Sequence, residues 1–552
     1  MEMNKKTDIL LSISACFMLF LYAPLELFFT NRGEFWYDIY LLGPVMVICF
    51  LIFSVLSILV LKICGKLGEK VWTIAIAAYF IAFLCLYVQG NYMTGNLPPL
   101  DGRWIDWSLY SSNRLPSIIL WVCVSSVVAG LYKFIGKQKF LKMVTYLSTG
   151  LSLMLMVTLI TLCVMNNGFE KANSFFCTTK NEFQMSKKKN FIVLILDAVD
   201  ATYFQEQLNE NEIKKDIFAD FTFYNNVLGA YPHTKDSIPM ILSGIWYENQ
   251  MEYEDYLKEV YENSPLLTAL KDGNYTMGLY EDDSFLVNNC MEQFDNMQKA
   301  PYGVTSWGTF ARWQIMMMAY RYAPYDLKRF TFVNPNALLQ LKIAPENSEI
   351  FVADNLDFLE KLTNTEIEYT DQNVFRFIHI EGAHVPFDLD ENLNSIENGT
   401  YEDDVAASVA LTGKYLDKLK KAGVYDDSVI IIMADHGYNV LGVSEDRQNP
   451  IFLAKGLNES HEFQTSDAPI SFVDLQLAYQ RLLDGYPGNA IFDYHSGEER
   501  ERRYLYYEFP KDEVIIEYTS NGNADDETDL HPTGRKYIYE KSYSNAGVSI
   551  MP

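Results

Sequence analysis

Four short stretches carry residues whose types and spacing suit phosphoryl chemistry. Asp197 stands directly after the apolar run Phe191–Leu196, and Asp435-His436-Gly437 closes a second run in the stretch IIIMADHG. A hard anionic ligand at each of two strand ends, with an imidazole beside one of them, is a credible nucleus for a Zn²⁺ or Mn²⁺ site. Either signal alone also suits a turn former or helix cap, and Asp200, three residues past Asp197, is an alternative ligand. Thr234 opens the third stretch, TKDSIPMILSG. A hydroxyl at a helix start lies among free backbone N–H groups where a phosphate would bind, and metal contact would ease loss of its proton, although a plain N-cap fits the pattern too. Ser237 lies one turn further in and would point away from those N–H groups. The fourth stretch, His379-Ile-Glu-Gly-Ala-His384-Val-Pro-Phe387, supplies two imidazoles. One of them could hold a phosphoryl group or protonate a leaving oxygen, and His379 equally suits a structural place in a strand.

These residues need a scaffold that brings distant stretches to one edge. Short continuous apolar runs at 191–196, 275–280, 374–380, 429–433 and 451–454 are of strand length and read as strands buried on both faces. Helix-period segments separate them, the clearest over 404–422, where Val405, Val409, Thr412, Leu416 and Leu419 mark one face ahead of Gly423. Alternating strands and helices predict an α/β domain with a central, mostly parallel sheet, whose active site gathers beyond the carboxyl ends of the strands. Tyr504–Glu508 and Val514–Tyr518 alternate like the strands of a small C-terminal antiparallel sheet.

The rest of the chain has the opposite character. Five stretches, near 8–29, 40–61, 71–89, 115–134 and 141–165, are long and apolar enough to span a bilayer. Expected domains are therefore a five-helix transmembrane part over 1–165, a juxtamembrane linker over 166–189, and a catalytic domain over 190–552. Lysines crowd the N-terminus and the loops near 62–70 and 133–142, which predicts a cytoplasmic N-terminus and an extracytoplasmic catalytic half. Trp36, Tyr37, Tyr40, Tyr92, Trp104, Trp107 and Tyr110 would form an aromatic belt at the outer interface, with the loop Gly90–Arg114 as an interfacial cap or headgroup contact. The net charge of −27 falls almost wholly on the polar half, which argues against nucleic acid as a partner. Cys177 and Cys290 are the only cysteines beyond the apolar runs, and their pairing stays open. All seven histidines follow residue 230. One of them, His461 in Asn-Glu-Ser-His, is either a further metal or phosphate contact or a surface-loop residue.

The combination resembles the alkaline phosphatase and sulfatase superfamily, and within it the membrane-bound lipoteichoic acid synthase and phosphoethanolamine transferase type. The resemblance places the family's acidic metal ligand on Asp197, its threonine nucleophile and ligand on Thr234, its Asp-His metal pair on Asp435 and His436, and its substrate-side histidine on His384. Ser237, Pro239 and Ser243 keep the family's spacing after the nucleophile. The membrane-bound members usually carry Glu where this chain has Asp197. The resemblance implies a divalent metal (Mn²⁺ or Zn²⁺, with Mg²⁺ a further candidate), a phospholipid donor, and an envelope glycan, lipid or polymer as acceptor. It also implies transfer of a phosphoglycerol or phosphoethanolamine headgroup through a phospho-threonine. A phosphodiesterase that uses water as acceptor and a non-catalytic membrane scaffold are the rival readings. A true sulfatase is disfavoured, because Thr234-Lys235-Asp236 replaces the Cys/Ser-x-Pro-x-Arg setting of that chemistry.

Overall fold

A computed structural model of the 552-residue chain describes residues 2–32, 35–95, 97, 105, 107–171, 175–210, 212–281, 285–287, 290–299, 302–331, 336–343, 349–397, 399–438, 447–508, 511–538 and 549–551. Trp104 and much of the loop expected as an interfacial cap lie outside them. The chain divides into two compact units: Met1–Asn173 with Pro301–Ile343, and Ser174–Ala300 with Ala344–Pro552.

Among the described residues, the first unit holds five helices long and apolar enough to cross a membrane: Lys6–Thr30, Ile39–Leu67, Glu69–Tyr92, Ser111–Ile135 and Lys137–Met165. Later in the sequence, a helix at Trp307–Tyr322 joins their core through Phe310, Met317, Met318 and Tyr322. Polar contacts fix it there. Arg321 makes a two-pronged ion pair with buried Glu26, at 2.6 and 3.1 Å, and donates from Nε to the Gly90 carbonyl at 2.8 Å. Gly90 must be a glycine, because a Cβ there would sit 2.3 Å from the Tyr322 ring.

The second unit is built on a seven-stranded sheet. Its strands, in chain order, are β1 (Asn190–Leu196), β2 (Thr222–Tyr224), β3 (Tyr275–Tyr280), β4 (Asn373–Ile380), β5 (Ser428–Met433), β6 (Phe452–Lys455) and β7 (Gln464–Ser466). Their order across the sheet is β7-β2-β6-β5-β1-β4-β3. The pairs β5-β1, β1-β4, β4-β3 and β7-β2 run parallel, whereas β6 is antiparallel to both neighbours. Every residue of β1 and β5 is buried, which is why both read as unbroken apolar runs. The helix expected over 404–422 spans Tyr401–Lys421, started by a Thr400–Asp403 capping box and followed by Gly423 at φ +68°.

The C-terminal antiparallel sheet has strands β8 (Arg502–Glu508), β9 (Lys511–Ser520), β10 (His531–Ile538) and β11 (Ser549–Met551). Within the stretch expected as a linker, Phe175–Cys177 and Gln184–Ser186 are strands, paired with Met297–Lys299 and Glu368–Thr370. Their alternating side chains are too few to show a period. No disulfide joins Cys177 and Cys290, and the Cys177 thiol donates to the Leu279 carbonyl at 3.3 Å.

Candidate active site at the carboxyl edge of the sheet

The parallel core β5-β1-β4-β3 ends on one edge, and each of its strands delivers an ionisable side chain there. Asp197 follows β1 in a tight turn. Ala198 takes φ +59°, its N–H donates to Asp435 Oδ1 at 3.1 Å, and the Asp197 N–H and carbonyl pair with Ile380 and Ala383. Gly382, at φ +62°, allows this approach: a Cβ there would lie 2.4 Å from the Asp197 nitrogen.

Asp435 and His436 follow β5, both buried. His436 Nδ1 donates to the Gly437 carbonyl at 2.7 Å, leaving the Nε2 lone pair free to face Asp197 Oδ1 at 3.6 Å and Asp435 Oδ2 at 3.5 Å. One ligand atom from each of Asp197, Asp435 and His436 lies within 4.8 Å of the others. Asp197 Oδ1 and Asp435 Oδ2 are buried with no hydrogen-bond partner. Leaving such atoms unpaired is costly unless a cation occupies the space between them, so two hard oxygens and an imidazole fit a divalent ion such as Zn²⁺ or Mn²⁺.

Thr234 is the first residue of the helix Thr234–Ser243, whose N-cap position is His233. Its hydroxyl lies close enough to Asp435 to help hold that carboxyl down, so the side chain faces the cluster. Ser237 is buried and donates to the Tyr231 carbonyl at 3.3 Å. Asp200 lies off the cluster, where its Oδ1 accepts from the Thr202 N–H at 2.9 Å and caps the helix Ala201–Glu210.

Of the remaining histidines, His384 is exposed, bonds through Nδ1 to the Val385 carbonyl at 2.8 Å, and lies close enough to His436 to act on its charge. His379, at the end of β4, is brought to Asp197. His461 is not brought in: its Nε2 lies 2.8 Å from Glu459, whose other oxygen accepts from the Gly456 and Gly488 N–H groups.

Burial dominates the electrostatics. It pushes the Asp197 carboxyl well up, reinforced by Asp435. In Asp435, burial is outweighed by His436, His379, the Thr234 hydroxyl and the Ala198 N–H, which hold it below the usual carboxylate range. Burial lowers His436 to about 4, keeping it neutral and ligand-ready at physiological pH.

Three groups at this edge escape a reading of the sequence. Glu281 follows β3 as Asp197 follows β1, so the rule that finds one applies to the other. His233 packs beside His436 with ring centroids 6.2 Å apart, and burial lowers it to about 3. Arg447 donates from Nη1 towards the Pro232 carbonyl at 3.4 Å and His233 Nδ1 at 3.3 Å, while its own carbonyl accepts from the Gly437 N–H at 2.9 Å. It straps the threonine turn to the Asp-His turn. Tyr507 of β8 packs on His233, and the Leu505 N–H donates to Ala230 at 2.9 Å, so the C-terminal sheet buttresses the same turn.

A mostly parallel α/β sheet with a carboxylate–imidazole cluster at its carboxyl edge defines the alkaline phosphatase superfamily class. Within that class the chain belongs to the sulfatase family, whose model matches residues 189–476, more than half of its length. It is similar to lipoteichoic acid synthase 1 of Bacillus subtilis (strain 168), with 34% identity over 97 residues, 16% of this chain and 15% of that protein. It is also similar to the lipoteichoic acid synthase of Staphylococcus aureus (strain USA300), with 39% identity over 74 residues, 12% of this chain and 11% of that protein. The chain thus spans only a small part of the length of these curated relatives. Among solved structures, it overlaps the crystal structure of a lipoteichoic acid synthase from Listeria monocytogenes with a TM-score of 0.34 and 12% identity, over 65% of this chain and 87% of that one.

Proposed function

We propose that the protein is a membrane-anchored, metal-dependent transferase that moves a phosphoglycerol-type headgroup, or phosphoethanolamine, from a phospholipid to a cell-envelope acceptor through a phospho-threonine. The observation that carries this reading is the Asp197–Asp435–His436 cluster with Thr234 beside Asp435 as the first residue of a helix. The aligned stretches of two lipoteichoic acid synthases support the choice of transfer chemistry. A divalent cation held by Asp197, Asp435, His436 and Thr234 would supply positive charge against the phosphoryl oxygens and lower the pKa of the hydroxyl.

The chain's own residues do the rest. Thr234 Oγ1 attacks phosphorus as the bond to the diacylglycerol oxygen breaks, and the hydroxyl proton passes to solvent. The positive end of the Thr234 helix favours the phosphoryl oxygens. His384, on the open side, donates a proton to the departing diacylglycerol oxygen and later accepts one from the acceptor hydroxyl, which releases Thr234. The N-terminus is cytoplasmic and the catalytic unit extracytoplasmic in this reading, so donor lipid is met in the outer leaflet, where the spans concentrate it.

Intact-mass spectrometry and peptide mapping test this. Wild-type protein and Thr234→Ala are incubated with Mn²⁺ and fluorescent phosphatidylglycerol or phosphatidylethanolamine. A headgroup-phosphate adduct on Thr234, with diacylglycerol released by wild type alone, is the expected result and names the donor. Absence of both products with either lipid removes the phospholipid-donor reading. Diacylglycerol released equally with and without an acceptor would favour a hydrolase.

A further inference from the structure

In the first unit, one buried charge stands without a counter-charge. Lys328 is only 3% exposed. Among the described residues no carboxylate acts on its ammonium; Arg321 does, with the same sign. Nζ donates to the Tyr320 and Arg321 carbonyls at 2.6 and 2.7 Å, in the last turn of the helix Trp307–Tyr322. Those dipoles take two of the protons and leave the charge itself unneutralised. Burying an ammonium without an opposite charge is costly, so an anion is its expected complement. The stretch 301–343 is basic as a whole, with five Lys and Arg residues against the single acid Asp326, in a chain of net charge −27. Asp326 is itself engaged by Arg114 at 3.0 Å.

Lys328 lines a cavity of about 290 Å³ at the ends of the third and fourth spans, Glu69–Tyr92 and Ser111–Ile135. None of its described lining residues is acidic. Gln89 is committed: its side-chain carbonyl accepts from Trp121 Nε1 at 2.8 Å, and its amide donates to Ser117 Oγ at 3.1 Å. Ser117 Oγ also accepts from the Tyr325 N–H at 3.3 Å, so what it has left to offer is its own proton. Met93, Leu97 and Tyr92 add apolar surface. The cavity thus presents an ammonium, a hydroxyl proton and an apolar border, with no negative charge. At the end of two spans, that combination lies at headgroup level.

We infer that this cavity holds the headgroup phosphate of an anionic phospholipid on Lys328 Nζ and Ser117 Oγ, as a resident lipid of the membrane-spanning unit and not as a substrate. Basic pockets between spans take anionic headgroups by the same chemistry. All the lining residues belong to the first unit, and none is in the Asp197–Asp435–His436 cluster, so the assignment stands apart from the reaction proposed for Thr234.

Native mass spectrometry tests it. Full-length protein in detergent, kept in EDTA to prevent metal-dependent turnover, is offered phosphatidylglycerol, phosphatidylcholine or inorganic phosphate. The expected result is a single phosphatidylglycerol retained per chain under conditions that strip phosphatidylcholine. Lys328→Gln should weaken that binding by roughly 10-fold or more, and Ser117→Ala by less. Equal affinity in wild type and Lys328→Gln would overturn the site, and retention of inorganic phosphate without phosphatidylglycerol would overturn its assignment to a lipid. A phosphatidylglycerol with a photoreactive headgroup decides the question on wild-type protein alone: crosslinks within residues 89–97 or 325–328 are expected, and crosslinks confined to other segments would sink the proposal. When Mn²⁺ is added to the isolated one-lipid complex, the lipid should stay intact. Its conversion to diacylglycerol would make the cavity a donor site and overturn the resident role.

Discussion

Thr234 and Gly382 show how narrowly the site depends on single atoms. Thr234→Ala removes the attacking oxygen, and transfer should fall by on the order of 10³-fold or more, as it does when a covalent nucleophile is lost. Thr234→Ser keeps the hydroxyl and should still form the mass adduct, so comparing the two variants separates nucleophile from helix start. Gly382→Ala would put a methyl group 2.4 Å from the Asp197 nitrogen at φ +62°. We expect weakened Mn²⁺ binding and a loss of roughly 1–3 kcal/mol in stability, read by calorimetry and by denaturation. An unchanged midpoint and affinity would mean that the Asp197 turn can move without cost. At this scale the sequence is most informative where an ionisable residue ends an apolar run, the rule that places Asp197, Asp435 and His436. Glu281 obeys the same rule after β3, but nothing in the chain marks its pairing with a histidine 98 positions away. Arg447 is illegible for another reason: it lies outside the apolar runs, and its bonds with Gly437, Pro232 and His233 bring it to the site only in the fold.

At the scale of elements, β1, β3, β4, β5 and β6 were legible because burial forces an apolar run, whereas β2 and β7, three residues each, are too short to stand out, and the helix Tyr401–Lys421 was legible because its apolar stripe has one period. The direction of β6 was not, since an apolar run reads the same both ways. Glu182, between the two short strands of the stretch expected as a linker, offers a measurable property. Both of its carboxyl oxygens are buried without a partner, and burial pushes it up to about 8, only partly offset by Lys361. Below the ordinary carboxylate value the group is protonated whether the chain is folded or not, and it contributes its full share of stability. As pH rises from there through about 8, the unfolded chain ionises first and that share is lost, by at most about 5 kcal/mol. The second unit should therefore melt lower at pH 8.5 than at pH 5, and Glu182→Gln should reduce that difference. An identical pH dependence in the variant would show that Glu182 is hydrated in solution.

Across the whole molecule, the chain enters the membrane-spanning unit twice, and the second entry, Pro301–Ile343, is held by the Arg321–Glu26 pair. Removing one partner strands a buried charge, so Arg321→Ala or Glu26→Ala should each cost roughly 3–5 kcal/mol, with the double variant milder than either single one. A thermal double-mutant cycle in detergent reads the coupling, and simple additivity would sink the idea. The helix Trp307–Tyr322 is not legible in the sequence, because its apolar residues form no single stripe and nothing in them says which of two cores it joins.

That second entry sets an order of events during synthesis. Five helices can insert as soon as residue 165 has emerged, but the core they share is short of Phe310, Met317 and Tyr322 until nearly twice that length has been made. The strand β1 and the Thr234 helix are already outside the ribosome by then, still lacking β4 and β5. Neither unit can finish before the other is well advanced, and a nascent chain halted near residue 300 would hold two incomplete cores at once. A soluble fragment begun at residue 174 inherits the same problem in reverse, because it carries a helix whose apolar face was made for the spans.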